Sequence, residues 1–398
     1  MNTVYIVDIL RTPVGKFNGT LSTIRPDDLA AITIKRILER NPSIDVNDIE
    51  DVVFGAANQA GEDNRNVARM AVLLAGLPHT IGGVTVNRLC ASGLQSVMDA
   101  SRAIGCGDGN IYLAGGVESM TRAPFVMAKN EHAFGRIADV HDTTIGWRFT
   151  NAKMIQLGHT LTMGETAEQV AHRWNVSRIE QDEFAASSQE KYFAAEAQNK
   201  FKSERIAVEI PSKKESTLFD VDEQPRASSV DILSKLKPAF VADGSVTAGN
   251  SSGINDGAAC MILCNEETVK KYHLKPMAKI KSMAIAGVEP KYMGIGPVYA
   301  TKKALQRAGL KISDLDLIEL NEAFASQSIA CIKELGLDAK KVNVNGGSIA
   351  IGHPLGASGS RISATLLHEM KKRGSKYGLA TMCIGVGQGA AIIFEGMN

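Results

Sequence analysis

Aromatic side chains, net charge and long apolar runs are all scarce in this chain of 398 residues. The formal net charge is only +1, so the composition gives no reason to expect nucleic acid or a membrane surface as a partner. No apolar run approaches the roughly 18 residues that are needed to span a bilayer. The six cysteines are scattered, which argues against a disulfide framework, a zinc ribbon or any other metal site. A reducing cytoplasm is the expected compartment.

The two ends of the chain carry the same motifs in the same order, about 260 residues apart. An amphipathic helix leads to a short apolar strand, a Val-Asn strand leads through a small-residue turn to a helix, and a last strand ends in glycines. The matching segments are 28–57 with 297–323, 84–100 with 342–367, and 110–120 with 378–395. This repeat predicts an α/β fold of two pseudo-symmetric halves, each with its own sheet, which share one ligand-binding cleft.

A more polar segment, residues 121–249, interrupts the repeat. Its clearest feature is a predicted pair of helices within 166–199, the second of which starts with the capping-box residues Ser177 and Glu180. Residues 129–162 show no clear period and are expected to form a loop. We predict a first half made of residues 1–120 and 250–272, an inserted domain over 121–249 that covers the cleft, and a second half over 273–398.

Cys90 stands where a strand gives way to a helix. The β-branched residues 84–86 predict a buried strand, and the apolar residues after Cys90 recur at helical spacing. A thiol at a helix N-terminus faces free backbone N–H groups and the positive end of the helix dipole, and both favour the thiolate. The alternative is a buried structural cysteine, the commonest state of a free Cys.

A nucleophilic thiol needs a base, and His353 is the candidate. Glycines surround His353 and Pro354 follows it, so an exposed turn before a helix is expected. His353 occupies the repeat position of Cys90, and the pseudo-twofold axis would therefore bring the two side chains together. A purely structural histidine is the alternative.

Two further segments of the second half end strands with reactive residues. Cys383 stands where a strand meets glycines, with its repeat counterpart near 115–116, and is either a core residue or a second reactive thiol. The glycines that follow it, including Gly385, can offer N–H groups to an oxyanion. Asn321 and Glu322 either orient His353 or a water molecule, or merely cap the next helix.

Five segments together resemble the thiolase family of acetyl-CoA acetyltransferases and 3-ketoacyl-CoA thiolases. In chain order they are NRLCASGLQS, VTAGNSSGINDGA, LNEAF, GHPLGASGSR and CIGVGQG. The resemblance covers essentially the whole chain. It implies a five-layered α-β-α-β-α fold of two halves with an inserted loop domain, and an enzyme that cleaves 3-oxoacyl-CoA with coenzyme A or runs the reverse Claisen condensation.

The resemblance also implies a role for each candidate residue. Cys90 matches the nucleophile that accepts the acyl group, and His353 matches the base that activates it. Cys383 matches the acid/base that exchanges a proton with the α-carbon of acetyl-CoA. Asn321 matches the residue that holds a water which, with His353, binds the thioester oxygen. The N–H groups of Cys90 and Gly385 match a second oxyanion hole.

Coenzyme A and acyl-CoA are implied as substrates, with no permanently bound cofactor. The positions that match coenzyme A contacts are Ser252, Phe240, Met163, Ala248 and Arg226. Composition alone leaves the basic residues near Arg226 equally compatible with a solvated surface cluster. The resemblance further implies a homodimer or homotetramer and a role in fatty-acid β-oxidation.

The acyl chain is the least determined feature. Short-chain acetoacetyl-CoA thiolases commonly carry a His immediately before the Met-Gly of the loop domain, and this chain has Thr162 there. Residues 146–149, GWRF, resemble thiolases that act on longer or dicarboxylic chains such as 3-oxoadipyl-CoA. The rival enzyme is a ketoacyl synthase, which uses a Cys and two His residues. A catalytically silent CoA-binding protein is the rival of another class, and it is disfavoured by the presence of Cys90 and His353.

Overall fold

The computed structural model describes residues 2–397, which form one large mixed sheet with helices on both faces. The strands are β1 (Tyr5–Arg11), β2 (Gly15–Lys16), β3 (Ile49–Gly55), β4 (Val84–Val86), β5 (Ile111–Ser119), β6 (Phe125–Met127), β7 (Val140–Asp142), β8 (Val208–Ile210), β9 (Thr217–Phe219), β10 (Asn255–Cys264), β11 (Ala278–Gly287), β12 (Leu317–Leu320), β13 (Tyr377–Ile384) and β14 (Gln388–Gly396). The α-helices are α1 (Pro26–Arg40), α2 (Val67–Leu74), α3 (Ser92–Cys106), α4 (Ala152–Gln156), α5 (Met163–Arg173), α6 (Arg178–Ala197), α7 (Val230–Leu233), α8 (Glu266–Lys271), α9 (Gly296–Ala308), α10 (Ala325–Leu335), α11 (Ser348–Ile351) and α12 (Leu355–Arg373). Across these described residues, no helix combines the length and the apolar character that crossing a bilayer requires.

The strand order of the large sheet contains the same half twice. In the first half β1, β10 and β5 are antiparallel neighbours, while β5, β3 and β4 run parallel. In the second half β11, β14 and β13 are antiparallel neighbours, and β12 runs parallel to β13. A single parallel bridge between Ile318 and Val342 stands in the place of β4. The predicted pair of pseudo-symmetric α/β halves is confirmed.

The two halves share one sheet, so the prediction that each has its own sheet is wrong. Tyr5 and Ile6 of β1 pair antiparallel with Lys279 and Ala278 of β11. β1 is the first strand of the first half and β11 is the first strand of the second half. Each forms the outer edge of its half of the sheet. An edge strand presents unpaired N–H and C=O groups, and here the two edges satisfy each other.

Five layers follow from where the apolar side chains pack, as the thiolase resemblance implies. Helices α1 and α2 cover one face of the first half of the sheet, and α9 and α10 cover one face of the second half. Helices α3 and α12 lie between the two halves, in a core to which β5, β10, β13 and β14 all contribute. Both helices of this central layer are therefore buried against sheet on two sides, which explains their long runs of small and apolar residues.

The first half is interrupted between β5 and β10, where the chain leaves the sheet at Ser119 and returns at Asn255. The equivalent connection of the second half is only the turn 385–387. The predicted inserted segment, 121–249, falls within this long excursion, which also contains the small sheets β6–β7 and β8–β9.

Helices α5 and α6 are the predicted helical pair of the excursion. Both open with a capping box, formed by Ser177 and Glu180 in α6 as predicted and by Thr162 and Glu165 in α5. The expectation of a plain loop over 129–162 is wrong in part, because β7 and α4 lie there. Each of these elements is too short to leave a periodic pattern in the sequence.

Candidate active site

Cys90 lies in a tight turn between β4 and α3, two residues before the helix begins at Ser92. Leu89 has a φ of 47°, a left-handed conformation that is strained for an L-residue. Asn87 Oδ1 accepts from the Leu89 N–H at 2.8 Å, and the Ser92 hydroxyl donates to the Leu89 carbonyl at 2.6 Å. Ser92 Oγ also accepts from the Arg88 N–H at 2.9 Å. These bonds hold the thiol at the N-terminus of α3.

The strand before this turn differs from the prediction in its burial. β4 forms, but Val84 is 42% exposed and the two residues after it are half-buried. β4 is the outermost strand of the sheet and, within the described residues 2–397, pairs with β3 alone. The β-branched residues of β4 thus correctly predicted a strand, but the prediction that this strand is buried is wrong.

His353 lies on a buried turn, so the expectation of an exposed turn is wrong. Only 5% of the residue is exposed, because α12 begins at Leu355 and runs between the two halves of the sheet. The His353 N–H donates to Asn255 Oδ1 at 2.9 Å, which ties the turn to the start of β10. A Cβ on Gly352 would lie 2.7 Å from that same Asn255 side chain. This glycine serves close packing and not exposure.

The two ring nitrogens of His353 have different partners. The Ser358 hydroxyl donates to the Pro354 carbonyl at 2.9 Å, so its oxygen is left to accept from Nδ1–H, 2.6 Å away. Nε2 is then the unprotonated nitrogen, and Asn321 Nδ2 lies 3.5 Å from it. Burial, reinforced by the positive charge of Arg361, lowers the pKa of His353 to about 3. The imidazole is therefore neutral, with its lone pair on Nε2.

Helices α3 and α12 bring the two turns together. A Cβ on Gly93 would lie 2.7 Å from a carbonyl oxygen of α12, and one on Gly359 would lie 2.2 Å from a backbone nitrogen of α3. Only glycine permits so close an approach. Cys90 and His353 each precede one of these helices by two residues, so this contact places both turns at the same end of the helix pair.

Gly385 connects Cys90 to the end of β13. Its N–H faces the Cys90 sulfur and acts to lower the pKa of that thiol. Arg88 donates from Nη1 to Gln388 Oε1 at 2.7 Å, which ties the Cys90 turn to the first residue of β14. An N–H donor beside a nucleophilic sulfur is the component from which an oxyanion hole is built.

Cys383 is a buried thiol on β13, two residues before Gly385. It packs against an apolar cluster that includes Phe324 and Met163. Burial raises the pKa of Cys383 well above its ordinary value, and the neighbouring Cys90 raises it further. The two thiols are thus close enough to influence each other's charge.

The resting state of Cys90 differs from the predicted thiolate. Burial raises the pKa of Cys90 to about 11, although the Gly385 N–H bond acts in the opposite direction. Desolvation outweighs the backbone donors here. The resting thiol is therefore neutral, and its reaction as a nucleophile requires a base such as the unprotonated Nε2 of His353.

Among the described residues, no side-chain hydrogen bond caps the start of α10, so the expectation that Asn321 or Glu322 caps the next helix is wrong. Asn321 faces His353, and its Oδ1 accepts from the Ser348 hydroxyl at 2.6 Å. Glu322 accepts from the hydroxyl of Ser188 in α6 at 2.7 Å and from Asn343 Nδ2 at 2.7 Å. Asn321 therefore lies beside the His353 ring, whereas Glu322 fastens the inserted segment to the second half.

Glu118 is a buried residue of the site that the sequence reasoning missed. Its carboxylate accepts three backbone N–H bonds: Oε2 from Ala57 (2.9 Å) and Gly356 (2.8 Å), and Oε1 from Asn58 (3.1 Å). Burial raises the pKa of Glu118 to about 7. The available signal was a single charged residue in the wholly buried strand β5.

The strand registers also correct the predicted repeat counterpart of Cys383. The last parallel pair is Gly55 with Gly116 in the first half and Leu320 with Thr381 in the second. Counting two residues onward places Cys383 opposite Glu118 in the pseudo-symmetry, and not opposite residues 115–116.

One cavity of about 300 Å³ opens on the Cys90 turn. It is bounded by the inserted segment on one side and by the starts of α12 and the 385–387 turn on the other. Residues that line it include Cys90, Glu118, Met163, Leu355 and Gly385, together with Thr162 and residues 143–148. Cys90, Gly385 and Met163 therefore line one cavity. His353, Asn321 and Cys383 are buried and do not reach its surface.

The other residues predicted to contact coenzyme A are Ser252, Phe240, Ala248 and Arg226. The Ser252 N–H donates to the Ala323 carbonyl at 3.0 Å, beside Asn321. The Phe240 ring packs edge-on against Phe324, with centroids 6.2 Å apart. The loop that carries them is therefore attached to the start of α10. Ala248 and Arg226 are exposed, and neither lines the cavity.

Family models match nearly the whole chain. The thiolase N-terminal domain matches residues 4–267, and the thiolase C-terminal domain matches residues 274–396. The chain belongs to the thiolase family. The family resemblance drawn from the five sequence motifs is confirmed, and with it the activity: this thiolase is a CoA-dependent acyltransferase that cleaves 3-oxoacyl-CoA or condenses acyl-CoA in reverse.

Individual relatives of this thiolase cover almost its full length. The chain is 53% identical over 398 residues to the beta-ketoadipyl-CoA thiolase of Pseudomonas putida, covering 99% of this chain and 100% of the relative. It is 52% identical over 399 residues to the 3-oxoadipyl-CoA/3-oxo-5,6-dehydrosuberyl-CoA thiolase of Escherichia coli, with the same coverage.

Solved structures of other thiolases superpose on the whole fold. The acetyl-CoA acetyltransferase of Bacillus anthracis gives a TM-score of 0.93 at 38% identity, covering 100% of this chain and 99% of that one. The human mitochondrial 3-ketoacyl-CoA thiolase in complex with CoA gives 0.93 at 38% identity, covering 100% and 98%. The five-layered thiolase fold is thereby confirmed.

Proposed function

We propose that this thiolase cleaves 3-oxoadipyl-CoA and related dicarboxylic 3-oxoacyl-CoA substrates through an acyl intermediate on Cys90. The observation that carries the proposal is the cavity that Cys90 shares with residues 143–148, since the acyl chain bound to that thiol must occupy it. The names of the relatives at 52% and 53% identity supply the substrate. The expected role in fatty-acid β-oxidation has no such support, and we replace it by the degradation of dicarboxylic acyl chains.

The first half-reaction breaks the substrate bond between C2 and C3. The Cys90 sulfur attacks the C3 carbonyl while His353 Nε2 takes the thiol proton. The C2–C3 bond then breaks, which leaves an acyl thioester on Cys90 and the enolate of acetyl-CoA. Asn321, with a water and His353, stabilises the enolate oxygen. Cys383 gives its proton to C2, and acetyl-CoA leaves.

The second half-reaction transfers the acyl group to coenzyme A. The thiolate left on Cys383 takes the thiol proton of coenzyme A, whose sulfur attacks the acyl thioester. The N–H groups of Cys90 and Gly385 stabilise the tetrahedral oxyanion. Acyl-CoA leaves, and the Cys90 sulfur recovers the proton held by His353. For 3-oxoadipyl-CoA the products are succinyl-CoA and acetyl-CoA.

The proposal extends to how coenzyme A lies and where the enzyme works. Coenzyme A passes along Met163, Phe240, Ala248 and Ser252, and its phosphates lie near Arg226. Met163 supports this path because it lines the Cys90 cavity, and a Cβ added to Gly385 would lie 3.5 Å from its sulfur. We further propose a homodimer or homotetramer that works in the cytoplasm.

CoA-dependent thiolysis of acetoacetyl-, 3-oxohexanoyl-, 3-oxoadipyl- and 3-oxopalmitoyl-CoA tests the proposal. We expect kcat/KM for 3-oxoadipyl-CoA to exceed each of the others by about tenfold or more. Cys90→Ala should abolish both turnover and the acyl adduct seen by mass spectrometry, while Cys383→Ser should still form the adduct. Cys106→Ala is the matched control, because Cys106 is exposed at the far end of α3. Faster cleavage of acetoacetyl-CoA, or an adduct on the Cys90 variant, would overturn the proposal.

A further inference from the structure

The cavity that opens on Cys90 has two charged side chains in its lining, those of Glu118 and Arg148. The Glu118 carboxylate is occupied by three backbone N–H donors. Its raised pKa leaves it partly protonated near neutral pH. Arg148 is consequently the cation that a negatively charged ligand in this space would meet.

Arg148 lies without a protein partner in the part of the chain that the structure describes. Among the described residues 2–397, no hydrogen bond or ion pair involves its guanidinium, although the residue is half-buried. The other partly buried arginines around the cleft behave differently: Arg88 binds Gln95 and Gln388, and Arg122 binds Glu62. A half-buried guanidinium that makes no bond to the protein keeps its N–H donors available to an acceptor group on a ligand.

The backbone that carries Arg148 is anchored on both sides. The Thr143 hydroxyl donates to the Pro124 carbonyl at 2.6 Å, and Asn58 Nδ2 donates to Thr143 Oγ1 at 2.9 Å. Trp147 Nε1 donates to the Leu161 carbonyl at 3.1 Å, just before α5. The segment 143–148 therefore forms a fixed wall of the cavity, and the Arg148 side chain starts from a defined position.

We propose that Arg148 binds the terminal carboxylate of the substrate acyl chain and so selects dicarboxylic over monocarboxylic 3-oxoacyl-CoA. The inference rests on the proposed function, because it assumes that the acyl chain attached to Cys90 fills this cavity. A guanidinium binds a carboxylate through two parallel N–H···O bonds, a geometry that a neutral chain end cannot use. The cavity volume, about 300 Å³, is at the small end of the range for small-molecule sites and suits a short acyl chain.

Two substrates of equal length isolate this interaction. 3-Oxoadipyl-CoA and 3-oxohexanoyl-CoA both carry six-carbon acyl chains and differ only in the terminal carboxylate. Arg148→Gln should lower the ratio of their kcat/KM values by about 10- to 100-fold, the range expected for a charge-assisted bidentate contact. Arg148→Lys should retain part of the preference, since it keeps the charge but loses the fork geometry. Arg136→Gln is the control, because Arg136 is exposed in the same inserted segment and should leave the ratio unchanged.

The outcomes separate this inference from the proposed function. If the wild-type enzyme does not prefer 3-oxoadipyl-CoA, the proposed function is wrong and the role of Arg148 falls with it. If the wild type prefers it and Arg148→Gln keeps the preference, only the role of Arg148 is overturned. An equal loss on both substrates in both Arg148 variants would identify a structural residue and also overturn the inference.

Discussion

Ser358 decides which nitrogen of His353 carries the proton. Its hydroxyl is held by the Pro354 carbonyl, so its oxygen can only accept, and Nδ1 must donate to it. A fully buried serine thus keeps Nε2 free to take a proton. A positioning residue of this kind is common around catalytic and metal-binding histidines, where the second nitrogen fixes the tautomer.

Ser358→Ala should reduce kcat for thiolysis by about 10- to 100-fold with little change in KM, because the unheld imidazole can adopt the other tautomer. Ser363→Ala is the matched control. Ser363 is equally buried in α12, but its hydroxyl donates to the Gly359 carbonyl and does not contact His353. Steady-state kinetics of both variants give the answer, and equal kcat values for the two would show that Ser358 does not position the base.

At the same scale, the sequence predicted which residues lie near one another better than it predicted how deeply each is buried. Cys90 and His353 were paired by their equivalent places in the repeat, which needs no knowledge of side-chain contacts. The burial of His353 was missed because glycine and proline usually mark exposed turns, whereas Gly352 is here a packing residue. Glu118 could not be assigned a role, because its partners Ala57, Asn58 and Gly356 come from two distant parts of the chain.

The contact between α3 and α12 is the structural element on which the site depends. Gly359→Ala would bring a methyl group to 2.2 Å from the backbone of α3, closer than any real Cβ contact. The helices must separate, so we expect a loss of about 1–3 kcal/mol in the free energy of unfolding and a fall in kcat as the Cys90 and His353 turns move apart. Chemical denaturation and thiolysis assays on the same preparations measure both effects.

Gly105→Ala provides the control within α3 itself. Its Cβ would meet nothing closer than an oxygen 4.0 Å away, and alanine has the higher helix propensity. Stability should therefore rise by about 0.5–1 kcal/mol with activity unchanged. If both glycine variants behave alike, close packing of the two helices is not what positions the site.

The sequence correctly predicted where a helix or strand begins if a strong local signal marks that point. The capping box of Ser177 and Glu180 correctly gave the start of α6, and β-branched residues gave β4. Short elements without a period, such as α4 and β7, were not predictable. The joining of β1 to β11 was also beyond sequence reasoning, because edge pairing between the halves depends on backbone groups that are the same for every residue.

At the scale of the whole molecule, buried charges connect the inserted segment to both halves. Arg11 of β1 makes a bidentate pair with Asp222, at 2.6 and 3.0 Å, and its Nε donates to Glu204 at 2.7 Å. Glu204 in turn accepts from the Thr365 hydroxyl of α12 at 3.0 Å. Breaking this network should therefore weaken the first half, the second half and the excursion between them together.

Asp222→Asn should lower the free energy of unfolding by about 3 kcal/mol or more, because it leaves a fully buried guanidinium short of its counter-charge. Although burial alone would raise the pKa of Asp222, Arg11 holds it below the ordinary value. The stabilisation is thus present at neutral pH and lost as the pH falls through that lowered pKa. The difference in the free energy of unfolding between variant and wild type should therefore narrow in acid.

Glu266→Gln is the control: it breaks the solvent-exposed ion pair between Glu266 and Lys270 and should leave the free energy of unfolding almost unchanged. Denaturation of the Asp222→Asn variant followed by far-UV circular dichroism should show one cooperative transition at a lower midpoint, whereas separate melting of the inserted segment would contradict the connecting role of Arg11.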